Sequence, residues 1–234
     1  NGQKAAKSVV LIKTGDTIKQ IKSQYGDFED WFAQAMGVPD LVQIDVFRQQ
    51  SLPAAENLAG IVITGSATMV SAHEQWSEDT AKWLGTAVLI GIPILGVCYG
   101  HQLLAHALGG HVGPNPAGRQ IGTVTAQRLE STATDPLLGY LPSTFEVQTS
   151  HLEVVLELPP GAERLATSPL DDNFAIRFAD NVWGVQFHPE FSPAVMSQYL
   201  HYREQVLRKE GLDPAHLLSK VTDTTQAQSV LQKF

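Results

Sequence analysis

Residues 93–102 read Pro-Ile-Leu-Gly-Val-Cys-Tyr-Gly-His-Gln, and this stretch decides the fold of the chain. It begins as an apolar strand, Pro93 to Val97, and then continues with the spacing of a helix. Gly96 and Gly100 lie two residues to either side of Cys98. Glycines at both positions relieve crowding around a sharp, strained turn. The pattern therefore predicts a strand-to-helix elbow that presents the Cys98 side chain.

Short β-branched runs and helix-like segments alternate around this elbow. We predict strands at Val9 to Ile12, Val42 to Phe47 and Gly60 to Thr64, and helices at Asp27 to Met36, from an N-cap at Ser77 to about Ile90, and at Gly100 to Leu108. Such an alternation predicts an α/β fold, in which a mostly parallel sheet is flanked by helices on both faces.

The pattern changes after Gly110. Strand-like runs separated by turns replace the helices, at residues 121–129, 145–148, 174–178 and 182–187. They predict an antiparallel extension of the same sheet. Helical patterns return at Pro193 to about Lys209, after the Asp213-Pro214 N-cap, and at Thr224 to Phe234. We predict one domain over residues 1–234, with a helical C-terminal extension at about 192–234.

Composition limits the classes of function. With 43% apolar and 17% charged residues, the 234-residue chain can bury a sizeable core. A net charge of −8 without a cluster of Lys and Arg argues against nucleic-acid binding. The apolar stretch Trp83 to Val97 is too short and too interrupted to span a membrane, and the N-terminus lacks an apolar signal core. A single cysteine precludes an intramolecular disulfide and suits a reducing, cytoplasmic location.

Two features of the elbow favour thiol chemistry at Cys98. A helix N-terminus follows the thiol, and its partial positive charge stabilises a thiolate. The backbone N–H of Tyr99 points to where an oxyanion would form. A lone cysteine is more often a buried packing residue. Its position between two glycines after an apolar strand favours a nucleophile instead.

A base for this thiol has to come from eight histidines. His188 directly follows the apolar strand that starts at Val182, and the carboxyl ends of such strands carry the chemistry of α/β folds. Glu190, two residues later, can orient the imidazole. His101 and His106 are five residues apart and point to different faces of a helix, so we predict no metal site. His73 and His111 are expected to be solvated.

Two segments, Gly-Val-Cys-Tyr-Gly-His-Gln at 96–102 and Val-Trp-Gly-Val-Gln-Phe-His-Pro-Glu at 182–190, resemble the signatures of the class I, triad-type glutamine amidotransferases. A third segment, Gly60 to Gly65, agrees with the same family. The residues at 26–32 and 71–76 resemble stand-alone members related to the glutaminase domain of GMP synthase. The resemblance covers roughly residues 9–200 and implies a flavodoxin-like α/β fold.

The resemblance implies a role for each matching residue. Cys98 would attack the glutamine side-chain amide, His188 would move the proton, and Glu190 would hold His188, forming a γ-glutamyl thioester that water hydrolyses. The remaining roles are an oxyanion hole from the backbone of Gly65 and Tyr99, and binding of the substrate's amino-acid end by Gln102 and by the loop containing Thr149, Ser150 and His151. On its own, Gln102 reads more simply as a surface glutamine and His151 as a solvated or backbone-bonded histidine. No cofactor is implied.

Three functions follow as hypotheses. The first is hydrolysis of glutamine, with the ammonia passed to a partner; the sequence has no Gly-x-x-x-x-Gly-Lys-Ser/Thr phosphate loop, so a synthetase or acceptor would be a separate subunit. The second is hydrolysis of other γ-glutamyl compounds, such as γ-glutamyl peptides, without a partner. The third is a non-catalytic regulatory or binding module. The oligomeric state is open in all three.

Overall fold

The computed structural model describes residues 7–234. The first six residues of the predicted domain, and the prediction about the N-terminus, lie outside the described residues. The strands are β1 Ser8–Lys13, β2 Val42–Asp45, β3 Leu58–Ile63, β4 Ile94–Val97, β5 His111–Pro114, β6 Gln120–Arg128, β7 Thr144–His151, β8 Glu153–Glu157, β9 Glu163–Ser168, β10 Asp171–Ala179 and β11 Val182–Val185. The α-helices are α1 Lys19–Tyr25, α2 Phe28–Met36, α3 Gln75–Ile90, α4 Tyr99–Ala107, α5 Pro193–Tyr202, α6 Glu204–Lys209, α7 Pro214–Ser219 and α8 Thr225–Lys233.

Nine of these strands form one sheet in the order β2-β1-β3-β4-β11-β10-β9-β6-β7, and β5 pairs with β8 in a small second sheet. The first five strands are parallel to one another, from β2 to β11. The remaining pairs, from β11–β10 to β6–β7, are antiparallel. The predicted α/β architecture with an antiparallel extension is therefore confirmed.

The five parallel strands, from β2 to β11, form the parallel half of the sheet. Burial of both faces of the sheet explains why its central strands are apolar. Along β1, Leu11 belongs to one apolar cluster, while Val10 and Ile12 belong to the other. Phe32 of α2 lies in the first cluster, and Leu103 of α4 in the second. Because both faces of the sheet are covered, its central strands carry continuous apolar runs rather than an alternating pattern.

Several predicted boundaries differ from the structure. The β11 segment is not simply part of the antiparallel extension, because it pairs in parallel with β4 and antiparallel with β10. Ser77 is not the N-cap of α3, which starts at Gln75; its hydroxyl instead hydrogen-bonds the Tyr99 hydroxyl in the core. The predicted helix from Pro193 to Lys209 is two helices, since the backbone leaves helical geometry at Arg203.

The other helical predictions match closely. Asp27 caps α2 with a capping box that includes Asp30, and Gly37 ends the helix in the left-handed conformation. Asp213 caps α7 through the backbone N–H groups of Ala215 and His216. Among the described residues, no helix has both the length and the apolarity needed to cross a bilayer.

Candidate active site

Cys98 lies between the end of β4 and the start of α4, where the backbone turns sharply. It adopts φ 53° and ψ −102°, a conformation that non-glycine residues rarely take. A Cβ at Gly96 would lie 2.5 Å from the Gly100 carbonyl oxygen, and one at Gly100 would lie 2.6 Å from Cβ of Ile63. The turn thus has the geometry that the glycine spacing predicts, and neither glycine can be replaced without moving the backbone.

His188 follows β11 and is held on several sides. Its backbone N–H donates to the Gln148 carbonyl oxygen at 2.8 Å, and Nδ1 hydrogen-bonds Oε1 of Glu190. The ring stacks between Phe28 and Phe191, with centroid distances of 6.2 and 4.1 Å. These contacts leave Nε2 as the ring nitrogen that can serve the thiol.

Opposing effects act on the pKa of His188. Burial by itself would lower it, but the adjacent Glu190 carboxylate and then the Cys98 sulfur outweigh burial and raise the pKa well above its ordinary value. The imidazolium form of His188 is therefore favoured. A protonated imidazole beside a cysteine favours the form in which a cysteine acts as a nucleophile.

Gly65 lies close to both Cys98 and His188. A Cβ at this position would lie 2.8 Å from Cε1 of His188 and 3.6 Å from Cβ of Cys98. The Thr64–Gly65 peptide is held by Thr14, whose hydroxyl lies 2.9 Å from both the Thr64 and the Gly65 carbonyl oxygens and shares its single hydrogen between them. Because the Thr64 carbonyl points toward Thr14, the trans Thr64–Gly65 peptide directs the Gly65 N–H away from Thr14.

Tyr99 and Gln102 are buried on α4. Tyr99 is the first residue of the helix, where backbone N–H groups have no partner within the helix. The Gln102 side-chain amide donates to the Glu153 carbonyl oxygen at 2.8 Å and to Oε1 of Gln186 at 3.0 Å. Gln102 is thus an oriented interior residue, not an ordinary surface glutamine.

The predicted substrate loop forms the end of β7. The Cys98 thiol lies 3.7 Å from the Ser150 carbonyl oxygen, so this residue presents its backbone to the sulfur. Thr149 is buried. The His151 ring contacts the Glu153 carbonyl oxygen at 3.1 Å and Oε1 of Gln120 at 3.0 Å. Burial lowers the pKa of His151 to about 3, so it is neutral and supports the wall of the site.

Two narrow clefts meet at Cys98. We call the first the glutamyl cleft; it is lined by Ser66, Ala67, Thr68, Met69, Cys98, Tyr99, Gln102, Arg119, Ser150, His151, Leu152, Glu153 and Arg203. We call the second the exit cleft; it is lined by Asp16, Ile18, Phe28, Ser66, Ala67, Cys98, Ser150, His188, Tyr199 and Arg203. Gly65, Thr149 and Glu190 are not among the residues that line either cleft within the described part of the chain.

The family model for class I glutamine amidotransferases matches residues 27–206, well over half of the chain. The chain belongs to this family. The match includes Cys98, His188 and Glu190 and leaves out β1 and α8.

Relatives of this amidotransferase include enzymes named for GMP synthesis. It is 38% identical to GMP synthase [glutamine-hydrolyzing] of Thermomicrobium roseum over 131 residues, which are 56% of this chain and 23% of the relative. It is 43% identical to a GMP synthase [glutamine-hydrolyzing] subunit of Natronomonas pharaonis over 150 residues, 64% of this chain and 75% of the relative. The match thus spans about a quarter of the longer relatives.

Solved structures show the same fold. A glutamine amidotransferase of Thermotoga maritima superposes with a TM-score of 0.76 at 21% identity, covering 97% of this chain and 96% of that one. A glutamine amido transferase of Methylobacillus flagellatus gives a TM-score of 0.76 at 22% identity, covering 98% and 92%. At these identities the likeness establishes the architecture alone.

Sequence reasoning missed three residues at the amidotransferase site. Thr14 fixes the Gly65 peptide, and Asp16 and Arg203 line the exit cleft. The threonine follows a strand with no motif around it. Arg203 lies in a charged stretch after α5 that is typical of a solvated helix face. None of the three residues can be recognised without knowing which segments of the chain come together in the fold.

The sequence predicted no metal site, but the fold brings a possible ligand group together. His73 Nδ1 lies 2.9 Å from Oε1 of Glu78, and His106 Nε2 lies 3.0 Å from Oε2. One ligand atom from each residue lies within 4.8 Å of the others. Hydrogen bonds from His106 and His73 lower the pKa of Glu78. Two imidazoles and a carboxylate can bind Zn²⁺, and in the structure each imidazole hydrogen-bonds the Glu78 carboxylate.

Proposed function

We propose that this chain hydrolyses the side-chain amide of glutamine through Cys98, His188 and Glu190, releasing ammonia and glutamate. One observation carries the proposal: a cysteine in a strained elbow adjoins a histidine whose other ring nitrogen is held by a buried carboxylate. This is the arrangement of a nucleophile, a base and an orienting group. Family membership makes glutamine the expected substrate.

The reaction has two halves. The Cys98 sulfur bonds to the amide carbon, and the thiol proton, held by His188, moves to the amide nitrogen as the C–N bond breaks. Ammonia leaves and a γ-glutamyl thioester remains. His188 then takes a proton from water, the hydroxide adds to the thioester, and the C–S bond breaks to give glutamate and the thiol.

The oxyanion of each tetrahedral intermediate needs donors beside the sulfur. We assign this role to the backbone N–H groups of Gly65 and Tyr99. The first is oriented by the Thr14 hydrogen bonds, and the second belongs to a helix N-terminus. These donors are in place before negative charge develops on the carbonyl oxygen. Hydrogen bonds that are oriented in advance lower the activation barrier most.

Gln102 and the backbone of residues 149–151 are proposed to hold the amino-acid end of the substrate. Gln102, Ser150 and His151 line the glutamyl cleft together with Tyr99, which supports this proposal. The names of the relatives from Natronomonas pharaonis and Haloarcula marismortui describe one subunit of GMP synthase. They support the proposal that a separate synthetase chain accepts the ammonia.

Glutamate and ammonia release from glutamine, measured for the wild type and Cys98→Ala, tests the proposal. We expect the variant to lose about 10⁴-fold or more in kcat. Because Cys98 is the single cysteine, mass spectrometry of the wild type quenched during turnover should show one γ-glutamyl adduct, on this residue. Full activity of Cys98→Ala would refute the mechanism, and no turnover by the wild type, alone or with a synthetase, would favour a non-catalytic module.

A further inference from the structure

Within residues 7–234, one group of ligand-type side chains lies outside both clefts and has no part in the proposed reaction. His73 follows the short 3-10 helix Val70–Ala72, Glu78 lies in the first turn of α3, and His106 lies in the last turn of α4. We call these three residues the His-Glu-His cluster. His73 has a left-handed backbone conformation, with φ 50°, which a non-glycine residue keeps only where its surroundings fix it. Three separate elements thus bring these side chains to one point.

The ligand atoms of the cluster are close enough together for one metal ion. His73 Nδ1 is 2.9 Å from Oε1 of Glu78, His106 Nε2 is 3.0 Å from Oε2, and the centres of the two imidazole rings are 5.3 Å apart. One such atom from each residue lies within 4.8 Å of the other two. Bonds of about 2.1 Å to a tetrahedral Zn²⁺ place the ligand atoms about 3.3 Å apart. An ion can therefore replace both hydrogen bonds with only small movements of the side chains.

The ligand types favour a transition-metal ion over Mg²⁺ or Ca²⁺. Imidazole nitrogen is a good ligand for Zn²⁺, whereas Mg²⁺ and Ca²⁺ are bound mainly by oxygen. The side chains of His73 and His106 are 59% and 26% exposed, so an ion can enter and water can take its fourth position. Residues 73–81 also contain three carboxylates and no Lys or Arg. The charge of this segment therefore attracts a cation.

The chain connects the cluster directly to one wall of the glutamyl cleft. Residues 66–69 line that cleft, and His73 follows them after a single turn of 3-10 helix. Ser71, within this turn, donates hydrogen bonds from its backbone N–H and its hydroxyl to the Glu153 carboxylate. In addition, α4 begins at Tyr99, directly after the elbow. An ion at the cluster would therefore join the end of the cleft wall to α3 and to the helix of the elbow.

We propose that His73, Glu78 and His106 bind one Zn²⁺ ion per chain, and that the ion fixes residues 66–73 and with them one wall of the glutamyl cleft. The three ligands leave one position for water, which gives a four-coordinate site. The ion takes no part in breaking the amide bond, since none of its ligands is among the described residues that line the clefts at Cys98. It acts on the shape of the cleft, and its binding does not depend on the thiol mechanism.

Calorimetric titration with Zn²⁺ tests the binding. Cys98→Ala is the starting protein for every measurement, because the Cys98 thiolate beside His188 is itself a ligand for Zn²⁺. We expect one ion per chain with a Kd of about 1 μM or below. A large excess of Mg²⁺ should not displace the ion, since two of the three ligands are imidazoles. Titration without saturable binding would overturn the proposal.

Three substitutions in the Cys98→Ala protein locate the site. His73→Gln and His106→Gln each remove one ligand and should weaken Zn²⁺ binding by about 100-fold or more. Glu78→Gln keeps the shape of the side chain and can still hydrogen-bond the imidazoles, but it removes the negative ligand and should also weaken binding. His111→Gln is the matched control, because His111 is exposed on β5 and lies outside the cluster. It should leave the Kd unchanged, and equal binding by all four variants would show adventitious binding only.

Hydrogen exchange of the backbone N–H groups of residues 66–74 tests the effect on the cleft wall. Zn²⁺ should slow this exchange by about tenfold in Cys98→Ala and leave it unchanged in Cys98→Ala/His106→Gln. His106 lies outside the measured segment, so the comparison reports the ion and not a local effect of the substitution. Zn²⁺ binding at the cluster without slower exchange would overturn the role assigned to the ion.

None of these measurements uses turnover, so they separate the zinc site from the proposed function. Loss of the zinc site would leave the proposed hydrolysis of glutamine standing. An inactive wild type whose Cys98→Ala variant has a saturable zinc site would refute the proposed function alone.

Discussion

The parallel half of the sheet and its antiparallel half contribute to the site in different ways. Cys98 and His188 follow the neighbouring parallel strands β4 and β11, and Gly65 follows β3. The antiparallel half contributes the end of β7, where Ser150 presents a backbone oxygen and His151 is tied to neighbouring groups. The parallel half thus carries the proposed reacting groups, and the antiparallel half supplies a wall of the candidate site.

The difference follows from strand direction. Carboxyl ends of adjacent parallel strands open at one edge, so residues far apart in sequence converge there. In an antiparallel pair the ends alternate, and a strand such as β7 brings mainly its backbone to that edge. Substitutions in the parallel half should therefore affect kcat strongly, and those in the antiparallel half should affect KM or stability.

The largest effect in this comparison is expected from Glu190→Gln, by about 10³-fold in kcat. The carboxylate keeps the pKa of His188 raised, so its loss lowers that pKa. In the wild type the imidazolium persists until the pH rises through the raised pKa. The high-pH limb of the kcat profile should therefore move to lower pH in the variant.

Glu56→Gln is the control for this substitution, since Glu56 is exposed and lies outside both clefts. It should leave the profile in place. A Glu190→Gln variant with the wild-type profile would show that this carboxylate does not act on His188.

Gly65→Ala should lower kcat by about 10²-fold, because the added Cβ would meet Cε1 of His188 at 2.8 Å and disturb the proposed oxyanion donor. Gly85→Ala in α3 is the control, since its Cβ would meet nothing within 4 Å. That change should raise the free energy of unfolding by up to about 1 kcal/mol. Equal kinetics for the two variants would remove Gly65 from the site.

His151→Phe should raise KM about tenfold and lower the free energy of unfolding by about 1–3 kcal/mol. The substitution leaves the Glu153 carbonyl oxygen and Oε1 of Gln120 without the ring that contacts them. Steady-state kinetics and urea unfolding check both effects. The same change at the exposed His111 should have neither effect. If His151→Phe instead lowered kcat as strongly as Glu190→Gln, the ring would have a direct part in the chemistry.

The smallest effect is expected from Ser150→Ala. Cys98 contacts the carbonyl oxygen of this residue, and that oxygen remains after the substitution. We expect kcat/KM for glutamine within about threefold of the wild type, since most of the contact is backbone. A loss of tenfold or more would show that the hydroxyl itself binds substrate and would weaken the contrast between the halves.

Local patterns predicted the elements that carry the candidate site. The glycine spacing around Cys98 required the elbow, because a Cβ at Gly96 or Gly100 would overlap other atoms. Continuous apolar runs predicted the buried parallel strands, and Asp27 and Asp213 predicted their helix starts. Predictions were wrong where a tertiary contact sets the role of a side chain. The Ser77 hydroxyl, for example, hydrogen-bonds Tyr99 and does not cap a helix.

By itself, then, the sequence determined the family, the α/β architecture and the candidate nucleophile, because these depend on spacing within short segments. Only the tertiary structure placed His188 beside Gly65, tied Thr14 to the same peptide and brought Arg203 to the exit cleft. Such contacts join segments that are far apart in sequence. The hydrogen bond between Thr17 and Tyr199, for example, joins residues nearly two hundred positions apart. No local sequence pattern predicts these long-range contacts. They follow from the order of the strands in the sheet and from the packing of helices on a common core.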